Sequence, residues 1–135
     1  MKSNLTILIG KAIAASRAAY APYSDFPVGA ILVDKEGNLY SGCNVENASY
    51  PASICAERTA LVKAVSDGVR DFEAIIIATQ NGGSPCGICR QMLNEFSPTM
   101  RVVCVSFEGD ITIDAPLSDL LPHGFGPSDL ISPPE

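Results

Sequence analysis

The amino-acid sequence predicts an α/β domain, a three-layer α/β/α sandwich on a mixed sheet of about five strands. Three observations carry that expectation. Residues 28–47 follow a hairpin pattern, FEAIIIATQ (72–80) is almost unbroken in apolar character, and helix-like segments at about 54–67 and 86–96 each precede a β-branched run. Strands alternating with helices are the pattern of helices layered on a sheet, with right-handed crossovers expected.

The elements follow in order. Leu5, Leu8, Ile9, Ala12 and Ile13 recur at helical spacing, which predicts an amphipathic first helix. APYSDFP (21–27) is a turn-rich connector. VGAILVD (28–34) and LYSGCNVEN (39–47) then read as strands around the EGN turn (36–38). The helix over 54–67 is expected to end at Gly68, a residue suited to a C-cap. FEAIIIATQ is apolar enough for a central strand covered on both faces. CGICRQMLNEF (86–96) predicts a short helix stopped before Pro98, RVVCVSF (101–107) a strand, and ITI (111–113) another strand after the EGD turn. APLSDLLP reads as a short helix, and the tail from His123, rich in Pro, Gly and Ser, as irregular.

With 135 residues, no internal repeat and no linker, the chain is expected to form a single domain over 1–135. The composition is 47% hydrophobic and 18% charged, which is globular rather than disordered. Nine scattered basic residues and a net charge of −6 argue against a nucleic-acid polymer as partner and favour a small neutral ligand. No apolar run approaches the roughly 20 residues that cross a bilayer, so no membrane partner is expected. Lys11 and Arg17 interrupt the N-terminal apolar run and weigh against a signal peptide. The five cysteines then read as metal ligands, catalytic groups or buried thiols of a cytoplasmic protein rather than as disulfides.

Chemistry concentrates in SICAERTALVKA (53–64) and SPCGICRQ (84–91). Cys86 and Cys89 share a face at a helix start, where backbone N–H groups and the helix dipole favour thiolate, and Cys55 opens its own helix. Three thiolates are a soft donor set for zinc, and they leave a fourth tetrahedral position open, as in catalytic sites. Cys43 and Cys104 fall mid-strand and are expected to be buried thiols, and His123 is not expected to be a ligand. Glu57, two residues beyond Cys55, can stand beside a metal-activated water as a base without binding the metal. Arg58, three beyond Cys55, can donate to the sulfurs and offset their charge. Asn44 and Glu46 alternate along a strand, so both are expected on one face, where they offer the donor and acceptors that suit a sugar.

CNVENASYPASICAERTA together with PCGICRQ closely resembles the small homotetrameric cytidine deaminases of pyrimidine salvage, and similarity runs from APYSDFPVGA to LLPHGF. The pairing of three cysteines with a non-ligand glutamate is the known signature of zinc deaminases. The resemblance implies a cytidine deaminase-like fold, one Zn²⁺ per subunit, and hydrolysis of cytidine or 2′-deoxycytidine to the uridine with release of ammonia. Hydroxide formed at the zinc would attack C4 while Glu57 shuttles protons. It further implies that the Ala56 N–H holds the pyrimidine carbonyl, that Asn44 and Glu46 bind the ribose 3′-hydroxyl, and that Phe26 packs on the base. Tyr50 and Phe125 would reach a neighbouring subunit's site, and Arg58, Gln91 and Arg90 would support the metal ligands.

Two other deaminase readings compete. A deaminase of a modified cytosine nucleoside would keep the same motifs, though NVEN with its sugar-binding pair favours ordinary nucleosides. A polynucleotide editor would need a basic, aromatic-lined groove that the acidic composition does not offer. A non-catalytic zinc module, from a different class, would keep the cysteines but would not need Glu57.

Overall fold

The structure, a computed structural model, describes residues 3–131; the ends of the expected 1–135 domain, 1–2 and 132–135, lie outside the described residues. Strands β1 (Gly29–Asp34), β2 (Leu39–Cys43), β3 (Phe72–Thr79), β4 (Arg101–Ser106) and β5 (Ile111–Pro116) form one sheet in the order β2-β1-β3-β4-β5. Strand β1 runs antiparallel to both β2 and β3, β3 and β4 are parallel, and β4 and β5 are antiparallel. The sheet is therefore mixed and five-stranded, as the sequence predicts, with β3 at its centre.

Helix α1 (Leu5–Ser16) covers one face; α2 (Ala56–Ser66), α3 (Gly87–Asn94) and the single turn α4 (Leu117–Leu120) lie on the other. Alternate residues of the central strands feed two separate cores. Ile31, Val33, Ile76 and Val103 pack with Leu8 and Ala12 of α1, whereas Leu32, Ile75, Ile77 and Val102 pack with Ala60, Leu61 and Leu93. A strand buried on both faces has no polar side to show, which is why FEAIIIATQ reads as an unbroken run.

Both strands that flank β1 oppose it, so β2 and β3 are parallel to each other. Helix α2 connects β2 to β3 and α3 connects β3 to β4, on the same face. Both helices therefore begin at the same edge of the sheet, beyond the carboxyl ends of parallel strands, where ligand sites collect in α/β folds. Gly42 on β2 lets α2 approach closely. A Cβ there would land on the Ala56 carbonyl oxygen and 2.6 Å from the Ala60 amide nitrogen. At its far end α2 closes as expected, with Gly68 at φ +89° and the Val69 N–H reaching the Ala64 carbonyl.

Four element boundaries differ from the sequence expectation. The β2 ladder ends at Cys43, because the Asn44 side chain takes over the next rung: Oδ1 accepts the Val28 N–H at 2.8 Å and Nδ2 donates to the Phe26 carbonyl at 2.9 Å. Cys43 is consequently half-buried at a strand end and not a mid-strand core thiol, while Cys104 is fully buried. Strand β5 runs past ITI to Pro116, its ladder with β4 continuing through Val102–Ala115 and Arg101–Pro116, and Asp114 adds a two-pronged ion pair with Arg101 of 2.8 and 2.7 Å. Helices α2 and α3 start one to two residues later than predicted, which leaves Cys55 and Cys86 as extended N-cap residues.

Gly42→Ala is expected to destabilise the fold by about 1–3 kcal/mol, the usual cost of forcing atoms into a filled interior. Because the clash bears on the first turn of α2, it should also reduce zinc retention; denaturant unfolding and metal analysis of the variant check both.

Candidate metal and nucleoside site

The three predicted ligands meet. Cys55 caps α2, Cys86 caps α3, and Cys89 lies one turn into α3. Their sulfurs are 3.9 Å (Cys55–Cys86) and 3.4 Å (Cys86–Cys89) apart, and all three lie within 4.8 Å of one another. A tetrahedral zinc with Zn–S bonds of about 2.3 Å needs sulfurs about 3.8 Å apart, so this donor set fits the ion. Arg58 donates to Cys55 Sγ at 3.4 Å, and its Nε is buried with no hydrogen-bond partner among the described residues.

The sulfurs are electrostatically divided. The Cys55 thiol is held down to about 5, first by its hydrogen bond with Cys89 and then by Arg58, against the opposing effect of burial. Cys89 moves the other way and is pushed strongly up, because it faces the Cys55 sulfur, is buried, and lies close to the Glu57 carboxylate. Glu57, in the first turn of α2, is only 4% exposed. Burial raises its carboxyl above the ordinary range; its own backbone N–H and the Cys89 thiol lower it in part, and the negative charge at Cys55 raises it further.

A cavity of about 430 Å³ opens beside the sulfurs. Its lining brings Cys55, Cys86 and Glu57 together with Phe26, Asn44 and Glu46. Ala56, fully buried, sits between two lining residues at the head of α2. Ser24, Thr79 and Ser84 also face the cavity and are absent from the sequence-based site. Thr79, the last residue of the central strand, could have been found by the rule that sites sit at strand ends. Ser24, inside a turn connector, carries no such signal.

Other predicted residues lie around this centre. Tyr50 is 68% exposed at the rim, edge-on to Tyr23 with ring centroids 5.4 Å apart, and Phe125 is 55% exposed. The Phe125 segment is anchored rather than loose: its carbonyl accepts from Gln91 Nε2 at 2.8 Å and Asn94 Nδ2 at 3.0 Å. The Gln91 amide thus reaches the tail instead of a sulfur. Arg90 ties the loop before Cys86 to α4, donating to the Pro85 and Leu120 carbonyls and to Ser84 Oγ. His123 is exposed in the tail, with φ +54°, and is not among the metal-ligand group.

The protein-family model of the cytidine and deoxycytidylate deaminase zinc-binding region matches residues 2–106. The chain belongs to this family. It is 47% identical to the cytidine deaminase of Sporosarcina psychrophila over 126 residues, 91% of this chain and 92% of that protein. It is 46% identical to that of Halalkalibacterium halodurans over 127 residues, covering 92% and 96%. The fold matches the crystal structure of the cytidine deaminase from Burkholderia pseudomallei with a TM-score of 0.87 and 45% identity, covering 91% of this chain and all of that one. In a member of this family the Cys55, Cys86 and Cys89 group is the zinc centre, one ion per chain.

Cys89→Ala should lower zinc content from about one per chain to well under half, whereas Cys104→Ala should leave it unchanged; metal analysis after gel filtration distinguishes them. Protons compete with the metal for thiolate, so zinc affinity in a competition titration should weaken as pH falls.

Proposed function

We propose that the chain is a zinc-dependent deaminase that hydrolyses cytidine and 2′-deoxycytidine to uridine and 2′-deoxyuridine, releasing ammonia. The observation that carries this reading is Glu57: a buried carboxyl two residues from Cys55, facing the same cavity as the sulfurs, whose pKa burial raises. A purely structural metal site has no need of such a group.

Zinc held by Cys55, Cys86 and Cys89 supplies Lewis acidity that makes water nucleophilic near neutral pH. Glu57 takes the proton from the attacking water and delivers it to N3 of the pyrimidine. As the C4–N bond breaks, the same carboxylate takes the proton of the new C4 hydroxyl and delivers it to the departing amine, leaving a C4 carbonyl, so one residue serves as base and then as acid. Its raised pKa suits both duties, since proton transfer is most effective when the catalytic pKa lies near the working pH. Arg58 offsets sulfur charge through its bond to Cys55. The Ala56 N–H holds the pyrimidine carbonyl and Phe26 packs on the ring. Asn44 and Glu46, in the same cavity lining, take the 3′-hydroxyl.

The charge of the cavity supports a nucleoside over a nucleotide. No Lys or Arg lines it, and the two carboxyl groups that do, Glu46 and Glu57, offer a phosphate no partner. The exposure of Tyr50 and Phe125 supports the family's arrangement, in which these rings complete the site of a neighbouring subunit in a homotetramer. The five unpaired thiols support a reducing cytoplasm, where the enzyme would return cytosine nucleosides to the uridine pool by pyrimidine salvage. No helix among the described residues is long and apolar enough to cross a membrane.

Purified metal-replete protein should consume cytidine, followed as loss of ultraviolet absorbance; no change would overturn the reading. Glu57→Gln should keep about one zinc per chain while turnover falls by about 10²–10⁴-fold. Zinc lost together with the carboxylate would make Glu57 a ligand instead.

A further inference from the structure

The part of the cavity wall that holds Ser24, Phe26, Asn44 and Glu46 is tied together by hydrogen bonds. Residues 21–27 cross in front of residues 44–46, and two side chains fasten them. Asn44 spans the Phe26 carbonyl and the Val28 N–H. Glu46 accepts the Tyr23 and Ser24 N–H groups on Oε1, at 3.0 and 3.1 Å, and the Ser24 hydroxyl on Oε2 at 2.5 Å. The same Ser24 hydroxyl accepts the Phe26 N–H at 3.1 Å. Asp25 between them lies in the left-handed region at φ +53°, so the backbone doubles back sharply enough for one side chain to reach both partners.

An ionised carboxylate has about four acceptor positions. Three of those on Glu46 are taken, two on Oε1 and one on Oε2, which leaves a single open position on Oε2. The Ser24 hydroxyl decides where that position points. The hydroxyl and the two amides also hold the Glu46 carboxyl below its usual range, so it remains an acceptor throughout the neutral region.

We propose that Ser24 is a positioning residue of the nucleoside site: its hydroxyl orients Glu46 to take one sugar hydroxyl and, through the Phe26 amide, ties that grip to the ring that packs on the base. The proposal rests on the sugar-binding role given to Glu46 above. Ser24 need not touch the substrate to act. It converts a flexible carboxylate with two free acceptor sites on Oε2 into a directed one. Sugar and base are then read by a single rigid loop, so a nucleoside is gripped better than the sum of its halves. The effect belongs to binding and is shared by ground and transition states, so it should appear in KM with little change in kcat.

The test compares wild type, Ser24→Ala and Ser24→Thr with cytidine and with 3′-deoxycytidine as substrates. Ser24→Ala should raise KM for cytidine about tenfold, the loss of one hydrogen bond to a charged group, with kcat within about threefold. The wild-type preference for cytidine over 3′-deoxycytidine should shrink in Ser24→Ala by a similar factor, because the misdirected carboxylate gains little from the hydroxyl. Ser24→Thr, which keeps the hydroxyl, should restore most of KM and of the preference. Zinc content and thermal midpoint should stay at wild-type values, Ser24 being exposed. An unchanged KM in Ser24→Ala would overturn the proposal. So would an equal loss on both substrates, which would place the role of Ser24 in the loop and not in Glu46. Wild-type protein that turns over neither substrate would instead overturn the deaminase reading, and the proposal with it.

Discussion

Mutual repulsion among three sulfurs is the constraint around which the metal site is built. Drawn to within 4.8 Å, they cannot all carry charge unless a cation sits among them, and the opposed displacements of Cys55 and Cys89 record that conflict. Several neighbouring features hold this arrangement. The two helix N-termini contribute positive dipole ends, Arg58 contributes a full charge, and the antiparallel strand between β2 and β3 brings both helix starts to one edge of the sheet. Take away that inversion of β1 and the two helices would no longer begin side by side.

Two parts of the cavity wall are built on different principles. At the metal end, close packing does the work: Ala56, Ala60 and Ala64 are small, fully buried residues that seat α2 on β2 across Gly42. Around Asn44 and Glu46, polar side chains replace a sheet rung and fasten a loop. Packing gives rigidity where charges have to be held together. Hydrogen bonds give direction where polar side chains face the cavity.

Much of this was legible in residue order. The cysteine spacing with Glu57 and Arg58 was readable because capping, helix periodicity and ligand chemistry all act within a few residues. The central strand was readable because burial on both faces leaves an apolar run. What was not legible depended on partners far along the chain. Nothing near Asn44 announces that its amide will end a strand, since the groups it binds are 16 and 18 residues away. Gln91 lies beside the ligand motif, yet its partner is the Phe125 carbonyl, 34 residues on. Ser24 looks like an ordinary turn residue until the fold sets Glu46 against it. Cys43 resembled Cys104 because both interrupt strand-like runs; only the early end of β2 separates them.

Cys55 and Cys86 are 31 positions apart, and between them lie all of α2 and the central strand. An ion that joins them closes a chain loop around the middle of the sheet, as a covalent bridge would. A permanent link over a loop of that length removes about 3–4 kcal/mol of disorder from the unfolded chain on the entropic account. The metal is thus a topological fastener as well as a reagent. Chelation would do more than silence chemistry: it would free the ends of the one segment through which both halves of the sheet are joined.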